Sequence, residues 1–340
     1  MMVSGRSTLR NQTLIGALGL ALLCGQAAAI ESPTLDLPLV CLLGETCWVA
    51  NYVDVDPAGA GRDFRCQGRT YPAHEGTDFM VRDRAVMEQG VPVLASAAGT
   101  VLAIRDGMKD VLLTEKAATH WTGGKECGNG VLIDHGGGWQ TQYCHLRKGS
   151  VRVRAQERVE RGTHLGLVGL SGKTAFPHVH LTVRHNGQVV DPFTGQLQSA
   201  GCGKEEQSLW RTEAKVSYEE VALVNAGFAG NVPDIDAIRS GALPDGSVQP
   251  TASVLVLWVD VVGARQGDQL RFQVSGPDGQ MVVDKVNRVE KTQARRFVYA
   301  GQRLRANTWP SGTYSGQVTL TREGEGRPIE QSVTRTVTIQ

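Results

Sequence analysis

Two short segments carry the residue types that do metal chemistry. His74 and Asp78 sit four apart in His74-Glu75-Gly76-Thr77-Asp78, and His178 and His180 flank Val179 about a hundred residues later. Along a strand, residues i and i+2 share one face, and Pro177-His178-Val179-His180-Leu181-Thr182-Val183-Arg184 alternates as a strand does, so both imidazoles project into the same space. A His and a carboxylate from one segment plus a His from a distant strand make an open three-ligand zinc site, whose fourth position is left to water. Zinc-assisted hydrolysis is the chemistry implied. Gly76 weakens any helix through the first segment, and an Asp stands where a zincin helix has its second His. A loop entering the strand Thr77-Asp78-Phe79-Met80-Val81 fits better, which leaves Glu75 a bystander.

Either pair alone is as common in ordinary cores and surfaces as in metal sites. What changes the balance is a set of further segments in one order: Val91-Pro92-Val93-Leu94-Ala95, Ala98-Gly99-Thr100-Val101, Cys127-Gly128-Asn129-Gly130 through His135-Gly136, Thr141-Gln142-Tyr143-Cys144-His145-Leu146, Gly166-Leu167-Val168-Gly169 and Val190-Asp191-Pro192. Together, over roughly residues 70 to 195, they resemble the M23 family of zinc metallopeptidases, the lysostaphin/LytM type that cuts peptidoglycan cross-links. The resemblance implies His74, Asp78 and His180 as ligands of one Zn2+ and His145 and His178 as catalytic histidines beside it. It leaves open which of the two is the base. Block 41–71, with Asn51-Tyr52-Val53-Asp54, resembles an extension found in part of the family, and Asn51 is a candidate plug on the metal, as in latent relatives. His120, His135, His164 and His185 match no ligand position and read as solvated or structural.

Residues 1–29 read as a secretory signal peptide, with Arg6 and Arg10, an apolar core over 13–23 and a cleavage site near Ala29. That core is too short for a membrane span, and Leu23 before Cys24 is a poor lipobox, so a periplasmic or secreted chain without a transmembrane helix or lipid anchor is expected. Lys+Arg 35 against Asp+Glu 34, with no basic stripe, gives no reason to expect nucleic acid. Without Cys24 six cysteines remain, an even set that suits disulfides in an exported chain. Cys127 and Cys144 bracket a hairpin around Gly136-Gly137-Gly138, where a cross-strand bridge is conceivable. A Cys144/His145 nucleophile is disfavoured, because adjacent strand residues face opposite ways.

The expected fold is mainly β: a 30–69 cysteine-containing extension, an antiparallel LytM/M23 peptidase domain over 70–200, a 201–249 connector with short helices, and a C-terminal immunoglobulin-like β-sandwich over 250–340. Ser217 to Val224 shows helical spacing behind a Ser cap, and Ile235 to Ile238 suggests a second short helix. From about 250, five or more strands in ~90 residues fit the sandwich. Residues 107–125 read as a polar loop, and Trp139 as packing. Three functions compete: an exported zinc endopeptidase acting on peptidoglycan peptide stems, a non-catalytic LytM-type factor that activates an amidase, and a periplasmic metal-binding or trafficking protein. The intact His/Asp set favours the first. The bond is left between D-alanyl–diaminopimelate and a Gly-Gly bridge.

Overall fold

Alternation of apolar and polar residues dictates the central sheet. In β9 (His178–His185) Val179, Leu181 and Val183 enter the main core, while His178, His180 and Thr182 take the other face. In this computed structural model, which describes residues 1–3, 5, 32–111, 124–204, 207–242, 248–323 and 328–340, β9 lies between β2 (Thr77–Val81) and β6 (Trp139–Leu146). The sheet is antiparallel, and β1 (Cys47–Asn51) covers the free side of β2. On the other side β6 pairs with β5 (Asn129–Gly136), which pairs with β4 (Gly99–Arg105). Residues 32–340 form one unit. The signal peptide expected over 1–29, with Cys24, falls almost wholly outside the described residues, as do residues 112–123 of the polar insertion, His120 included.

The β5–β6 hairpin forms where its glycines require. Gly136 pairs with Trp139, so Gly137 and Gly138 make a two-residue turn with φ of 59° and 82°. Positive φ at both central residues is the type I′ geometry, which matches strand twist and costs a glycine nothing. A disulfide joins Cys127 to Cys144 behind this hairpin. Two more bridges, Cys41–Cys47 and Cys66–Cys202, close one of the fifteen connectivities the six cysteines allow. Cys66–Cys202 spans 136 residues and ties the segment before β2 to the chain beyond β9. In the chain-entropy picture a loop of that size is worth ~5 kcal/mol.

The helix expected over Ser217 to Val224 is not formed. Ala222–Ala229 is instead a strand, β11, paired with β12 (Val254–Ala264). Tertiary pairing overrides the local pattern because β11 is buried on both faces: Ala226 and Phe228 enter one core, Ala222 and Val224 another. The short helix Ile235–Ser240 does form, capped by the Asp234 carboxylate on two backbone N–H groups. β11, β12 and β15 (Gln293–Arg303) make one sheet, and β14 (Met281–Arg288), β13 (Gln269–Ser275), β16 (Gly312–Arg322) and β17 (Ile329–Ile339) make the other. Leu257, Val259 and Val298 from the first sheet meet Phe272, Val318 and Val337 from the second in a shared core. Ala222, Val224 and Val262 pack in turn with Trp48, Ala50 and Met80 of the central sheet.

Asp191 lies buried just after β9 and its short return strand. Its Oδ1 accepts the N–H groups of Phe193 and Thr194, and its buried Oδ2 has no partner among the described residues. Burial pushes this carboxyl up from 3.8 to about 7. A folded pKa above the unfolded one means that folding binds a proton, so this group's contribution is full below about 4 and is lost as pH rises to about 7. Asp191→Asn keeps an acceptor oxygen and removes the ionisation. The denaturation midpoint of the wild type relative to Asp191→Asn should therefore fall between pH 4 and 7 and then level off. A constant difference between pH 4 and 8 would refute this origin.

Candidate metal centre

Sheet register brings the first two segments together. Asp78 on β2 lies directly opposite His180 on β9, and Met80 opposite His178, so Asp78, His178 and His180 share one face. His74 arrives from the loop before β2. Its Nε2 is 3.2 Å from Asp78 Oδ1 and 3.1 Å from His180 Nδ1, and His180 Nδ1 is 2.8 Å from Asp78 Oδ1. These are the three side chains that could hold one metal ion among the described residues. Gly76 is required at its position, since a Cβ there would lie 2.6 Å from His180 Nε2.

The outer hydrogen bonds test whether this set fits a cation. His74 Nδ1 lies 2.7 Å from the Tyr52 carbonyl, which can only accept, so the proton is on Nδ1 and the Nε2 lone pair points inward. His180 Nε2 lies 3.0 Å from Thr182 Oγ1, leaving Nδ1 inward. Asp78 adds a buried carboxylate, whose Oδ2 accepts from Asn51 Nδ2 at 2.8 Å. Two ring nitrogens and one anionic oxygen thus face one another at 2.8–3.2 Å. Ligand bonds of ~2.0–2.1 Å in a tetrahedron place donor atoms ~3.3 Å apart, so the set suits zinc in size and chemistry. Burial alone would push Asp78 up, but His74, His178 and His180 outweigh it and hold the carboxyl well below its usual range.

His145 and His178 stand beside this cluster. The His145 and His178 rings are 4.7 Å apart, and His145 is 6.0 Å from His180. His145 Nδ1 donates to the Ser171 carbonyl at 2.8 Å, which leaves its Nε2 as a free acceptor. Burial, then the neighbouring His178 and His180, push its pKa well below the usual imidazole value, so it is neutral. His178 Nδ1 donates to the Phe176 carbonyl at 2.9 Å, and its Nε2 lies 3.3 Å from Asp78 Oδ1.

Strict strand alternation would have put Cys144 and His145 on opposite sides. Both line the same groove, because His145 takes a left-handed φ of 63°, an unusual conformation for a side chain of this size. The Cys/His nucleophile is excluded by the Cys127–Cys144 bridge, which leaves no thiol. The groove, about 690 Å3, is also lined by Tyr71, Glu75, Lys173 and Arg184. Tyr71 packs against His74 with ring centroids 4.4 Å apart and planes tilted by 35°, and half its surface is exposed. Sequence reasoning missed Tyr71, although it precedes the candidate ligand His74 by three residues. Glu75 pairs with Arg184 at 2.9 Å and stays outside the cluster. Asn51 Nδ2 donates to the carboxylate of Asp78 at the edge of the cluster. Trp139 is 8% exposed and stacks on His185. His135 binds the Ala98 carbonyl and Thr141, and His164 the Gly166 carbonyl, so both are structural.

The model of peptidase family M23 matches residues 72–192. The chain is 35% identical over 147 residues to an uncharacterized metalloprotease of Haemophilus influenzae, covering 43% of this chain and 26% of that protein. It is 36% identical over 128 residues to the DD-carboxypeptidase/endopeptidase Mpg of Neisseria meningitidis serogroup B, covering 38% and 24%. To the peptidoglycan DD-endopeptidase ShyA of Vibrio cholerae it is 30% identical over 127 residues, covering 37% and 24%. The chain spans about a quarter of the length of these curated relatives.

Proposed function

From the match of residues 72–192 to peptidase family M23 we propose that the chain is an exported zinc metalloendopeptidase that hydrolyses peptide cross-links of peptidoglycan. The observation that carries the reading is the convergence of His74, Asp78 and His180 with two further histidines beside them. The names of the relatives favour a bond between D-residues, D-alanyl–diaminopimelate, over a Gly-Gly bridge. Three disulfides suit an oxidising compartment such as the periplasm or the exterior, in line with a leader over 1–29. Among the described residues no helix is long and apolar enough to cross a membrane. The C-terminal two-sheet unit reads as an immunoglobulin-like sandwich that positions the peptidase.

His74, Asp78 and His180 would hold one zinc ion, which supplies Lewis-acid polarisation of the scissile carbonyl and activation of water. His145 Nε2, neutral and unpaired, takes the proton of the attacking water and returns it to the leaving amine. His178, whose Nδ1 already donates to the Phe176 carbonyl, donates from Nε2 to the developing oxyanion when it carries its second proton. Lys173 on the groove wall attracts a carboxylate of an acidic peptide stem, while Arg184 is held by Glu75. An open groove admits a polymer without threading. Digestion of purified sacculi followed by muropeptide mass spectrometry tests the proposal. Cross-linked dimers should become monomers with the wild type and stay intact with His145→Ala. Sacculi left unchanged by zinc-loaded wild-type protein would overturn it and leave the amidase-activating reading.

A further inference from the structure

The peptidase family match begins at residue 72, but the inner histidine–carboxylate cluster is dressed from outside that segment. Asn51 Nδ2 donates to Asp78 Oδ2 at 2.8 Å. The Tyr52 carbonyl accepts from His74 Nδ1 at 2.7 Å. Asp54 Oδ2 accepts from the N–H of Ala73 at 2.8 Å, and the Asp54 N–H donates to the His74 carbonyl at 2.9 Å. Four hydrogen bonds from 51–54 therefore hold the loop and both of the ligands that this loop and β2 supply.

Local backbone geometry shows how the segment is aimed. β1 pairs with β2 as Val49↔Phe79 and then Asn51↔Asp78, so one residue, Ala50, is extra. In unbroken register Ala50 would oppose Asp78 and Asn51 would point to the other face. A bulge re-aims a side chain in this way and ends the pairing beyond it. The Arg69 guanidinium donates to the Val49 carbonyl at the start of the bulge. Ala73, directly before His74, takes a left-handed φ of 62°, a conformation an alanine keeps only where its surroundings enforce it. The Asp54 carboxylate on its N–H is that enforcement.

We propose that Asn51, Tyr52 and Asp54 are positioning residues of the metal centre, so that the N-terminal extension sets metal affinity as an integral part of the catalytic module. An ionised carboxylate only accepts, so the amide presents its NH2 group to Asp78 Oδ2, and with Asn51 gone no other side chain among the described residues bonds that oxygen. The amide holds Oδ2 outward and Oδ1 toward His74 and His180. The Tyr52 carbonyl fixes the His74 tautomer with Nε2 inward. Such outer partners carry about 10- to 100-fold in metal affinity each.

This inference rests on the zinc reading above, and its test separates the two. Metal-stripped full-length wild type, Asn51→Leu, Asn51→Ser and Asp54→Ala are titrated with Zn2+ against a chromophoric chelator, and Co2+ visible spectra are recorded. Near-UV circular dichroism and thiol titration verify folding and three intact disulfides. Each folded variant should bind Zn2+ about 10- to 100-fold more weakly and release it faster, with hydrolysis recovering at saturating metal. Asn51→Leu preserves volume without the donor, and Asp54→Ala acts through a separate bond, so failure of either to fold leaves the other decisive. Wild-type affinity in folded Asn51 and Asp54 variants overturns the inference. A wild type that binds no metal overturns the zinc reading itself.

Discussion

His180→Ala abolishes metal binding and hydrolysis together in this account, the largest single effect expected anywhere in the chain. The reason is the shape of the cluster. His180 Nδ1 makes its shortest edge, 2.8 Å to Asp78 Oδ1, and closes the third side against His74 Nε2 at 3.1 Å. Two remaining donors do not hold a divalent ion against water, and Asp78 loses one of the groups that keep it ionised. The fold should survive, because the side chain lies on the groove face and core packing of β9 rests on Val179, Leu181 and Val183. Metal analysis of the purified variant with a parallel sacculus digestion measures both losses. Hydrolysis by a verified zinc-free His180→Ala protein would refute the ligand assignment.

His145→Ala gives the second largest effect and splits the same two quantities. His145 touches no ligand atom, and its Nδ1 is spent on the Ser171 carbonyl. The variant should bind zinc as the wild type does. Its turnover should drop about 10²- to 10⁴-fold, the usual contribution of a general acid–base group. KM should change little, since the imidazole acts on a proton and not on binding. A variant that loses its metal would recast His145 as a structural support. One that keeps full turnover would hand the proton transfer to His178.

The parts of the site that are legible in the sequence are those governed by a strand's period of two. His178 and His180 share a face because one residue separates them, and Gly136 to Gly138 announce the hairpin. Asp78 reaches His180 by cross-strand pairing, which the spacing alone does not dictate but the order of segments does. What escaped depends on departures from regularity. Alternation sends Cys144 and His145 apart, and only the φ of 63° at His145 brings both to the groove. Asn51 meets Asp78 through a bulge at Ala50 that no propensity marks. The stretch from Ser217 to Val224 has a helix's spacing, yet partners far along the chain on both of its faces make a strand of its second half. The 66–202 bridge is equally silent in the sequence, because 136 residues of folded chain decide which cysteines meet.

X-ray absorption at the zinc edge of the metal-loaded full-length protein bears most directly on the claim that three distant side chains share one cation. One zinc per chain, with nitrogen and oxygen scatterers at ~2.0–2.1 Å and two imidazole signatures, is the expected spectrum. Sulfur scattering at ~2.3 Å, or no bound zinc after loading, would contradict it.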